Sequence, residues 1–496
     1  MLDNPPDLLR LSASVNAFKT NKRHCFPSKA AVRGSLLEMR RSNKVAFVSA
    51  GMLSPKKRDH MLARRQLYLN YGALSLATIL NDQGFKTLLV HGEHREPSEL
   101  LDALVQDGTF PSSLPVMLSI PSFYALEWAQ RFCKLVRLAD PSAKIIVGGR
   151  WVVGPDPGWL RKKLPEADLL IPGLAEPVIT SLLTATPIVR RLSAPTPQFV
   201  LNHRLVSGFE RYQPSIEASR GCGMGCSFCE ERDIPLEKLL PAEQIAAALA
   251  MIAGQYGTSD VRPYLQTSMF APNLNWSAGL VSAVRSRGLE MKWRTESRVD
   301  ALTAETIACL AEAGMKVLDL GLETASPTQI LSMRKSAHPD RYLQRASKLL
   351  KACGDNGVAA KVNVLLYAGE TAKTLTETRS FLDEHSEHIA GVSVGPVVAY
   401  GPPKTASILL NEWSGSGCVA VDSRSTDETG ITHVHLSREI DAESAELASL
   451  DMSRRYMNAN AYYRLKSFSY YPRDYTRHDF DRDVDASDKS RLPFSQ

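Results

Sequence analysis

The chain has 496 residues, of which 44% are hydrophobic and 23% charged, and its formal net charge is +6. These values are ordinary for a globular protein of two or three domains. No run of 18 apolar residues occurs, and residues 1–26 lack a continuous apolar stretch. Both observations argue against a membrane span and a secretory signal. Lys and Arg are not clustered along the sequence, so the weak positive charge predicts a solvated surface rather than a nucleic-acid groove.

Cysteine usage indicates a reduced, cytoplasmic protein. Eight cysteines in 496 residues are too few for a disulfide scaffold. Three of them, Cys222, Cys226 and Cys229, lie in the stretch "CGMGCSFC". The other five are scattered, at Cys25, Cys133, Cys309, Cys353 and Cys418. Grouped thiols in a reduced protein indicate a metal site.

The first half of the chain predicts a doubly wound α/β domain. Residues 1–43 are polar and form a lead-in. From residue 44, short apolar strands such as "KVAFVSA" and "AKIIVGG" alternate with amphipathic helices such as "YGALSLATILNDQGF". This alternation is typical of a parallel sheet with helices on both faces. We therefore expect a Rossmann-like domain at 44–184, followed by a Pro-rich, basic linker at 185–213.

A second alternating series occupies residues 214–400. It contains six predicted strands, from "PSIEAS" to "AGVSVGPVVAYGPP". Repeated βα units of this kind close into a full or partial barrel, and functional groups gather at the carboxyl ends of its strands. The cysteine loop directly follows the first strand. The prediction is therefore a partial (β/α)6 TIM-like barrel with the thiols at its functional end.

The remaining residues, 401–496, are polar and weakly periodic, and we expect an accessory region. The stretch "NANAYYRLKSFSYYPRDY" predicts a helix that packs against the barrel. The segment "THVHL" predicts a surface strand, although His433 and His435 would share one face of it. The composition of the last 20 or so residues predicts a disordered tail.

The three thiols favour an iron–sulfur cluster over zinc. A structural zinc site needs four protein ligands, and no histidine lies between residues 204 and 337 to complete one. Thiolates suit iron, and a compact loop can wrap a four-iron cube. Three cysteines would leave one iron open, as a catalytic site requires. The glycines between and before the thiols allow unusual backbone conformations; they are Gly221, Gly223 and Gly225.

The pattern CxxxCxxC, with an aromatic residue before the last cysteine, resembles the signature of the radical S-adenosylmethionine (SAM) superfamily. This resemblance implies a [4Fe–4S] cluster on Cys222, Cys226 and Cys229, with SAM bound at the open iron. Reductive cleavage of SAM would then yield a 5′-deoxyadenosyl radical. The radical chemistry belongs to the cofactor, whereas the barrel orients the substrate and excludes side reactions.

Other stretches are similar to the same family. "WRTESRVDAL" resembles its third strand, "LDLGLETAS" its fourth, and "GET" at 369–371 its fifth-strand turn. The Gly-Gly-Glu turn that is common after the second strand is replaced by "LQTSMF", and the Gly-x-Pro before "GET" is also missing. The resemblance implies that SAM-binding residues come from these segments. The candidates are Gln266, Thr267, Ser268, Arg298, Glu323 and Ser326, with a structural ion pair as the alternative role of Arg298 and Glu323.

The first domain resembles the cobalamin-binding domain that precedes many radical SAM barrels, through "IVGGRWVVGPDP" and "ADLLIPGLAEPVITSLL". The motif Asp-x-His-x-x-Gly, whose histidine ligates cobalt, is absent, and neither His60 nor His91 fits it. If cobalamin binds, its cobalt lacks that histidine. The alternative is a domain that keeps the fold without the cofactor.

Together these features predict a radical SAM enzyme, with cobalamin-dependent methylation or related group transfer in a biosynthetic pathway as the main hypothesis. The resemblance implies a small-molecule or peptide substrate and a reductant such as flavodoxin or ferredoxin. Cobalamin-independent rearrangement, sulfur insertion or aminocarboxypropyl transfer stays open. So do an RNA-modifying or RNA-binding role and a non-catalytic protein with a structural cluster, although the acidic tail argues against RNA.

Overall fold

The first half of the chain forms a five-stranded parallel sheet in the computed structural model, which describes residues 40–56, 60–183 and 200–496. The strand order is β2-β1-β3-β4-β5, and all neighbouring pairs are parallel. The strands are β1 (Lys44–Ser49), β2 (Lys86–His91), β3 (Val116–Ser119), β4 (Ile145–Gly148) and β5 (Leu169–Ile171). The order reverses between β1 and β3, and sheets of this kind bind ligands at the carboxyl ends of such strands.

Helices connect these strands and cover the sheet. They are α1 (Met61–Arg64), α2 (Tyr71–Asp82), α3 (Pro97–Gln106), α4 (Leu126–Ala139), α5 (Arg150–Val153) and α6 (Pro157–Lys163), with a 3-10 turn at Phe123–Ala125. Val45 and Phe47 alternate along β1 and pack in one cluster with Leu74 and Leu80 of α2. The predicted doubly wound α/β sheet is therefore confirmed.

The second sheet contains six parallel strands in sequential order, β6 to β11. They are β6 (Ser215–Glu217), β7 (Tyr264–Gln266), β8 (Trp293–Arg298), β9 (Met315–Glu323), β10 (Ala359–Leu366) and β11 (Ile389–Pro396). The connecting helices are α7 (Ala242–Tyr256), α8 (Leu274–Ser286), α9 (Ala304–Glu312), α10 (Pro327–Ser332), α11 (Pro339–Asp355) and α12 (Ala372–Glu384), with a 3-10 turn at Ser386–His388. Because β6 and β11 do not pair, the sheet is an open, partial barrel, as the sequence predicts.

The C-terminal region adds a small antiparallel sheet and five helices. The strands are β12 (Val398–Tyr400), β13 (Val419–Ala420) and β14 (Ile431–His435), in the order β12-β14-β13. The helices are α13 (Pro403–Ser414), α14 (Ser423–Thr429), α15 (Ala442–Arg455), α16 (Ala459–Ser469) and α17 (Arg477–Asp485), with a 3-10 turn at Lys489–Arg491. The predicted helix near residue 460 is α16, and "THVHL" is strand β14 with His433 exposed.

The prediction of a disordered tail is wrong. Thr476 caps α17 with a reciprocal capping box through Asp479. Phe480, Leu492 and Phe494 are at most 2% exposed and pack in one cluster with aromatic residues of α16. Tail composition is polar overall, but three widely spaced apolar side chains suffice to anchor it because α16 offers them an aromatic surface.

The C-terminal region contacts both sheets. Arg65, after α1, forms an ion pair with Asp483 at 2.7 Å. The Leu67 amide donates to the Tyr470 carbonyl at 2.6 Å, and the Trp159 indole donates to the Asp427 carbonyl at 3.1 Å. The segment 41–496 accordingly forms one compact unit.

Parts of three sequence predictions lie outside the described residues: the lead-in at 1–39, the end of the first domain at 184 and the linker at 185–199. Residues 200–213 of the predicted linker are described and contain two 3-10 turns, His203–Leu205 and Phe209–Arg211. Within the described ranges, no helix is long and apolar enough to cross a membrane.

A buried ion pair occupies the interior of the second sheet. Arg294 is fully buried and donates to both carboxylate oxygens of Asp319, at 2.5 and 2.7 Å. Lys361 lies 3.0 Å from the same carboxylate, and Arg294 also donates to the Leu465 carbonyl of α16 at 2.9 Å. Burial by itself would raise the pKa of Asp319, but Arg294 and Lys361 hold it well below its usual range.

We expect Asp319→Asn to lower the free energy of unfolding by about 3–5 kcal/mol, because it leaves the buried Arg294 and the partly exposed Lys361 without their partner. Urea denaturation at pH 7 measures this loss. The difference should shrink below about pH 4, where the unfolded wild-type carboxyl binds a proton. The matched control is Asp383→Asn, which removes an exposed pair with Arg455 at 2.9 Å. Equal losses in both variants would contradict a special role for the buried pair.

Candidate cluster site and adjoining chamber

The three grouped thiols lie in the loop between β6 and α7. Cys226 is buried, with 7% of its surface exposed, whereas Cys222 and Cys229 are partly exposed. The loop folds back on itself: the Cys222 amide donates to the Ile234 carbonyl at 2.9 Å, and the Glu231 amide approaches the Cys229 sulfur at 3.4 Å. The loop thus presents three sulfurs together at the carboxyl edge of the second sheet.

The glycines make this loop possible. All three adopt positive φ angles, of 72° at Gly221, 64° at Gly223 and 72° at Gly225. At Gly221 a Cβ would also lie 2.1 Å from the Pro235 carbonyl oxygen, which is far inside van der Waals contact. Only glycine combines this backbone conformation with so close an approach.

Arg298, a predicted SAM contact, lies against a cluster cysteine. Its Nη1 approaches the Cys226 sulfur at 3.3 Å, and its Nη2 donates to the Lys335 carbonyl at 2.6 Å. Asp300 accepts from the same guanidinium at 2.9 and 3.1 Å. The guanidinium thus lies within hydrogen-bond distance of the sulfur, and Asp300 fixes its orientation.

The donor set fits a cluster of several irons. Within residues 40–56, 60–183 and 200–496, no group of three or more His, Cys, Asp and Glu side chains is placed to hold a single metal ion. In an iron–sulfur cube each thiolate binds a different iron, so the sulfurs need not converge on one point. In the unloaded loop, burial raises the pKa of Cys222, and raises that of Cys229 to about 11. Neighbouring thiols add to both shifts.

Beside the cysteines, the partly exposed Glu323 forms an ion pair with the buried Lys335. Their side chains are 3.6 Å apart, and Lys335 also donates to the Gly321 carbonyl at 3.1 Å. Glu323 ends β9 with a φ of 62°, a left-handed conformation that costs energy in a residue with a Cβ. The ion pair between Arg298 and Glu323, considered as the alternative role of these residues, does not occur: Arg298 binds Asp300, and Glu323 binds Lys335.

The remaining predicted SAM residues differ in accessibility. Ser268 is exposed, whereas Gln266 donates to Ser215 Oγ at 3.1 Å. Thr267 is buried and shares a hydrogen bond of 2.7 Å with Ser219. Ser326 is completely buried, and its Oγ has no partner among the described residues. Ser268 and Glu323 are therefore open to a ligand, while Ser326 is not.

The "GET" turn has a structural role. Glu370 is 2% exposed and accepts hydrogen bonds from the Tyr367 amide, at 3.2 Å, and from the Thr374 hydroxyl. Thr371 caps α12 through Thr374. Gly369 has a φ of 83° and its amide donates to the Leu436 carbonyl at 2.7 Å. This turn holds the end of β10 in place and ties it to the C-terminal region.

Tyrosines lie against the polar interior of the barrel, which we call the chamber: the Arg294 guanidinium is 4.9 Å from the centroid of the Tyr470 ring. Burial raises the pKa of Tyr68 to about 12, although 51% of its residue surface is exposed. Burial also raises the pKa of the partly exposed Tyr71 to about 12, and the Tyr470 ring lies 5.3 Å from the Tyr68 ring, tilted by 48°. The first domain and the C-terminal region thus both contribute tyrosines to the chamber.

Glu296 is the carboxyl group of this chamber. Side chains alternate along a strand, so Arg294, Glu296 and Arg298 of β8 share the inner face, with Glu296 about 7 Å along the strand from Arg298. Burial, followed by the charge of Asp319, raises the pKa of Glu296 to about 7. Sequence reasoning missed Glu296, Tyr68 and the cysteine neighbours Asp300 and Lys335, because no local motif marks them.

The carboxyl edge of the first sheet meets the cysteine loop. Arg150, after β4, lies 3.2 Å from Glu231. Burial lowers the pKa of Lys56, after β1, while nearby Glu230 opposes that shift. Large apolar side chains stay exposed on both margins, at Leu174 (52%) and Met224 (41%). A Cβ on Gly149 would lie 2.3 Å from the Ile120 carbonyl oxygen, so the β3 and β4 loops approach closely.

The histidines considered as cobalt ligands are engaged elsewhere. His60 Nδ1 caps α1 by accepting from the Ala63 amide at 3.2 Å. His91 is 5% exposed, and its Nε2 accepts from the Asn70 amide at 3.0 Å. Burial lowers the pKa of His91 to about 3. His91 is thus buried with one ring nitrogen bonded to the backbone, and His60 serves as a helix cap.

Comparison with protein families identifies the barrel. Residues 216–382 match the family model of the radical SAM superfamily. The chain therefore contains a radical SAM domain, as the cysteine motif predicts.

Two curated relatives match part of the chain. An uncharacterized methyltransferase of Pyrococcus horikoshii is 22% identical over 169 residues, which are 34% of this chain and 36% of that protein. The tRNA-2-methylthio-N(6)-dimethylallyladenosine synthase of Thermobifida fusca is 24% identical over 270 residues, 50% of this chain and 52% of that protein. The chain thus spans about a third to a half of the length of these relatives.

Two solved structures share the fold over most of the chain. The radical SAM methyltransferase TsrM from Kitasatospora setae, with cobalamin and a [4Fe–4S] cluster bound, has a TM-score of 0.52 at 16% identity, covering 76% of this chain and 77% of that one. The cobalamin-dependent radical SAM enzyme OxsB, with aqua-cobalamin and SAM bound, has a TM-score of 0.59 at 15% identity, covering 82% and 65%. At this level of sequence identity the similarity shows a shared fold, and it extends over both sheets.

Cys226→Ala should abolish assembly of the iron–sulfur cluster, because it removes one of three thiolates from a loop that is built around them. Iron and sulfide content and the visible absorbance after anaerobic reconstitution measure this. Cys309→Ala, a partly exposed cysteine outside the loop, is the matched control and should bind iron like the wild type. Full cluster content in Cys226→Ala would refute the assignment.

Glu296→Gln should stabilise the protein at pH 8 by up to about 3 kcal/mol and leave its stability near pH 5 almost unchanged. The folded-state pKa of Glu296 is about 7, above the ordinary 4.5, so ionisation between these values disfavours the folded state. Urea denaturation at pH 5 and pH 8 measures the difference. The exposed Glu290→Gln is the control, and a gain at pH 8 that is no larger than the control's would contradict an enclosed chamber.

Proposed function

We propose that this protein is a radical SAM enzyme that carries out methylation or a related group transfer with the help of cobalamin. The observation that carries the proposal is the cysteine loop, which lies at the carboxyl edge of one parallel sheet and meets the switch-point edge of another. Arg150 and Glu231 join the two edges at 3.2 Å. A site between them can bring two cofactors to one substrate.

Cys222, Cys226 and Cys229 would hold a [4Fe–4S] cluster. When bound, the cluster and SAM supply reductive cleavage of the sulfonium, and cobalamin supplies methyl transfer. The residues around the thiols support this assignment. Arg298 contacts the Cys226 sulfur at 3.3 Å, and Asp300 prevents the guanidinium from turning away.

SAM would bind beside Cys222, next to Glu323 and Ser268. Both side chains are accessible, and the strained backbone at Glu323 is of the kind that clusters at ligand sites. A carboxylate accepts hydrogen bonds from ribose hydroxyls or an amino group. Arg298 is a positioning residue for the cluster cysteine rather than a direct SAM contact in this proposal.

Two observations support a cobalamin site at the carboxyl edge of the first sheet. The strand order places a switch point between β1 and β3, and exposed apolar side chains, Leu174 and Met224, line the margins of the space next to it. The loop after β1 offers no histidine within its described residues, 50–56. We therefore expect a cobalt without a histidine ligand from this loop.

The chamber around Glu296 is the proposed substrate site. Glu296 precedes Arg298 by two residues on β8, and tyrosines from the first domain and the C-terminal region lie near the chamber. Glu296 has a pKa of about 7 and can accept or hold a proton near neutral pH. A small-molecule or peptide side chain with a donor group suits such a chamber, because the Glu296 carboxyl group can accept its hydrogen bond.

Cobalamin-independent radical chemistry is the first alternative, and RNA modification is the second. The second draws on the name of the Thermobifida fusca relative, a tRNA-modifying enzyme that is 24% identical. A reductant such as flavodoxin or ferredoxin is required in each version.

The decisive experiment is anaerobic reconstitution with iron and sulfide, followed by incubation with SAM and dithionite and mass analysis of the nucleosides. We expect 5′-deoxyadenosine from the wild type and none from Cys226→Ala. S-adenosylhomocysteine indicates methyl transfer, whereas methylthioadenosine indicates aminocarboxypropyl transfer. No cleavage of SAM by fully reconstituted protein would overturn the proposal in favour of a structural cluster.

Expression with added cobalamin separates the cobalamin-dependent version from its alternative. We expect corrin absorbance in the purified protein and a cobalt(II) EPR signal without splitting from an axial histidine nitrogen. Purified protein without corrin absorbance would favour the cobalamin-independent alternative. Nitrogen splitting would show that a histidine outside the β1 loop serves as ligand.

A further inference from the structure

A basic cavity lies at the end of the second sheet that is remote from the cysteine loop. Its volume is about 850 Å³, and it is bounded by the amino ends of β7, β8 and β9 and by α16. Lys292 lines it; this residue directly precedes β8, six positions before Arg298, the residue in contact with Cys226. At 3.3 Å per residue the two ends are roughly 20 Å apart, so this cavity is distinct from the cluster site.

Five cations and one carboxylate line the cavity. The cations are Arg262, Lys292, Lys316, Arg464 and Arg473, and the carboxylate is Asp260. Arg262, Lys292 and Lys316 stand at the starts of three neighbouring strands, β7, β8 and β9. Neighbouring strands lie about 4.8 Å apart, so these three cations form a row about 10 Å long. Arg464 and Arg473 face that row from the C-terminal region.

No ion pair neutralises these five cations within the described part of the chain. Arg262 donates to the Ser467 carbonyl at 3.3 Å and lies over the Phe468 ring at 5.4 Å. Arg473 donates to the Glu210 carbonyl at 3.0 Å and lies over the Tyr256 ring at 5.2 Å. Carbonyls and rings fix the two guanidinium groups in place but leave their charges uncompensated.

A solvated basic surface is the simpler explanation, and two features argue against it. Exposed arginines elsewhere in the C-terminal region do find carboxylates, as Arg455 does with Asp383 at 2.9 Å and Arg477 with Asp481 at 2.8 Å. Crowded like charges also repel one another, and a concave wall strengthens their field by excluding water. An arrangement of this kind favours a multiply charged anion.

We propose that this cavity binds a ligand that carries a chain of two or more phosphate groups. Arginine forks and lysine ammonium groups are the usual partners of phosphate oxygens, and a row of cations matches a chain of anionic groups. The volume lies within the range of small-molecule sites. The ligand is bound too far from Cys226 to react there, so it acts from outside the cluster site, and the proposal does not depend on the proposed function.

The test uses full-length protein with saturating SAM, which keeps the SAM site occupied. Inorganic tripolyphosphate and ATP are titrated separately by calorimetry at low salt without divalent cations. We expect saturable binding that weakens with added salt and raises the unfolding temperature. Tighter binding of ATP identifies a nucleotide ligand, and equal binding identifies the phosphate chain alone; both support the proposal.

The variant Lys292→Glu/Arg464→Glu should weaken binding at least about tenfold, because it reverses two charges of the cavity. The matched control is Arg345→Glu/Lys348→Glu, which reverses the same charges on an exposed face of α11 that does not line the cavity. Its affinity should stay within about twofold of the wild type. Lys292→Gln, a milder change, should weaken binding without loss of folded structure by circular dichroism.

Three results would overturn the proposal. They are absence of saturable binding of both probes to the wild type, equal weakening in the cavity variant and the control, and binding of a single-stranded RNA when neither small probe binds. The last result would identify an extended nucleic-acid surface instead of a small-ligand cavity.

Discussion

The contact between Arg298 and Cys226 is the interaction on which the functional end of the molecule depends. It joins β8, the third strand of the barrel, to the loop that follows the first strand, at a distance of 3.3 Å. The loop has little regular structure of its own, and its glycines hold conformations that other residues avoid. The rigid sheet therefore holds the loop through a cation that contacts one of its three thiols.

The polar interior of the barrel is a second consequence of the same strand. Arg294, Glu296 and Arg298 point to one side of β8, and each has a different environment. Arg294 is neutralised by Asp319 deep in the barrel, whereas Arg298 faces the thiols. Glu296, between them, has no ion pair with a described residue, and burial raises its pKa to about 7. One strand thus supplies a structural, a proton-holding and a cluster-positioning side chain.

The C-terminal region completes both ends of the barrel. Its α16 receives a hydrogen bond from Arg294 and forms one wall of the basic cavity, and Tyr470 reaches the chamber near Tyr68. The Leu436 carbonyl, which directly follows the small sheet, accepts a hydrogen bond from the Gly369 amide. The accessory region is therefore part of the chamber and not an appendage.

Local patterns in the sequence determined the elements and the cluster motif. The alternation of strands and helices predicted both parallel sheets and all six barrel strands, and the spacing of Cys222, Cys226 and Cys229 predicted the metal loop, because each signal lies within a few consecutive residues. Only the tertiary structure decided which distant side chains meet. It placed Asp300 rather than Glu323 beside Arg298, buried Ser326, and ordered the tail through Phe480 and Phe494. It also gathered into one cavity five cations that are spread over more than two hundred residues of the sequence. Such contacts depend on how strands and helices pack, and no periodicity of the chain records that packing.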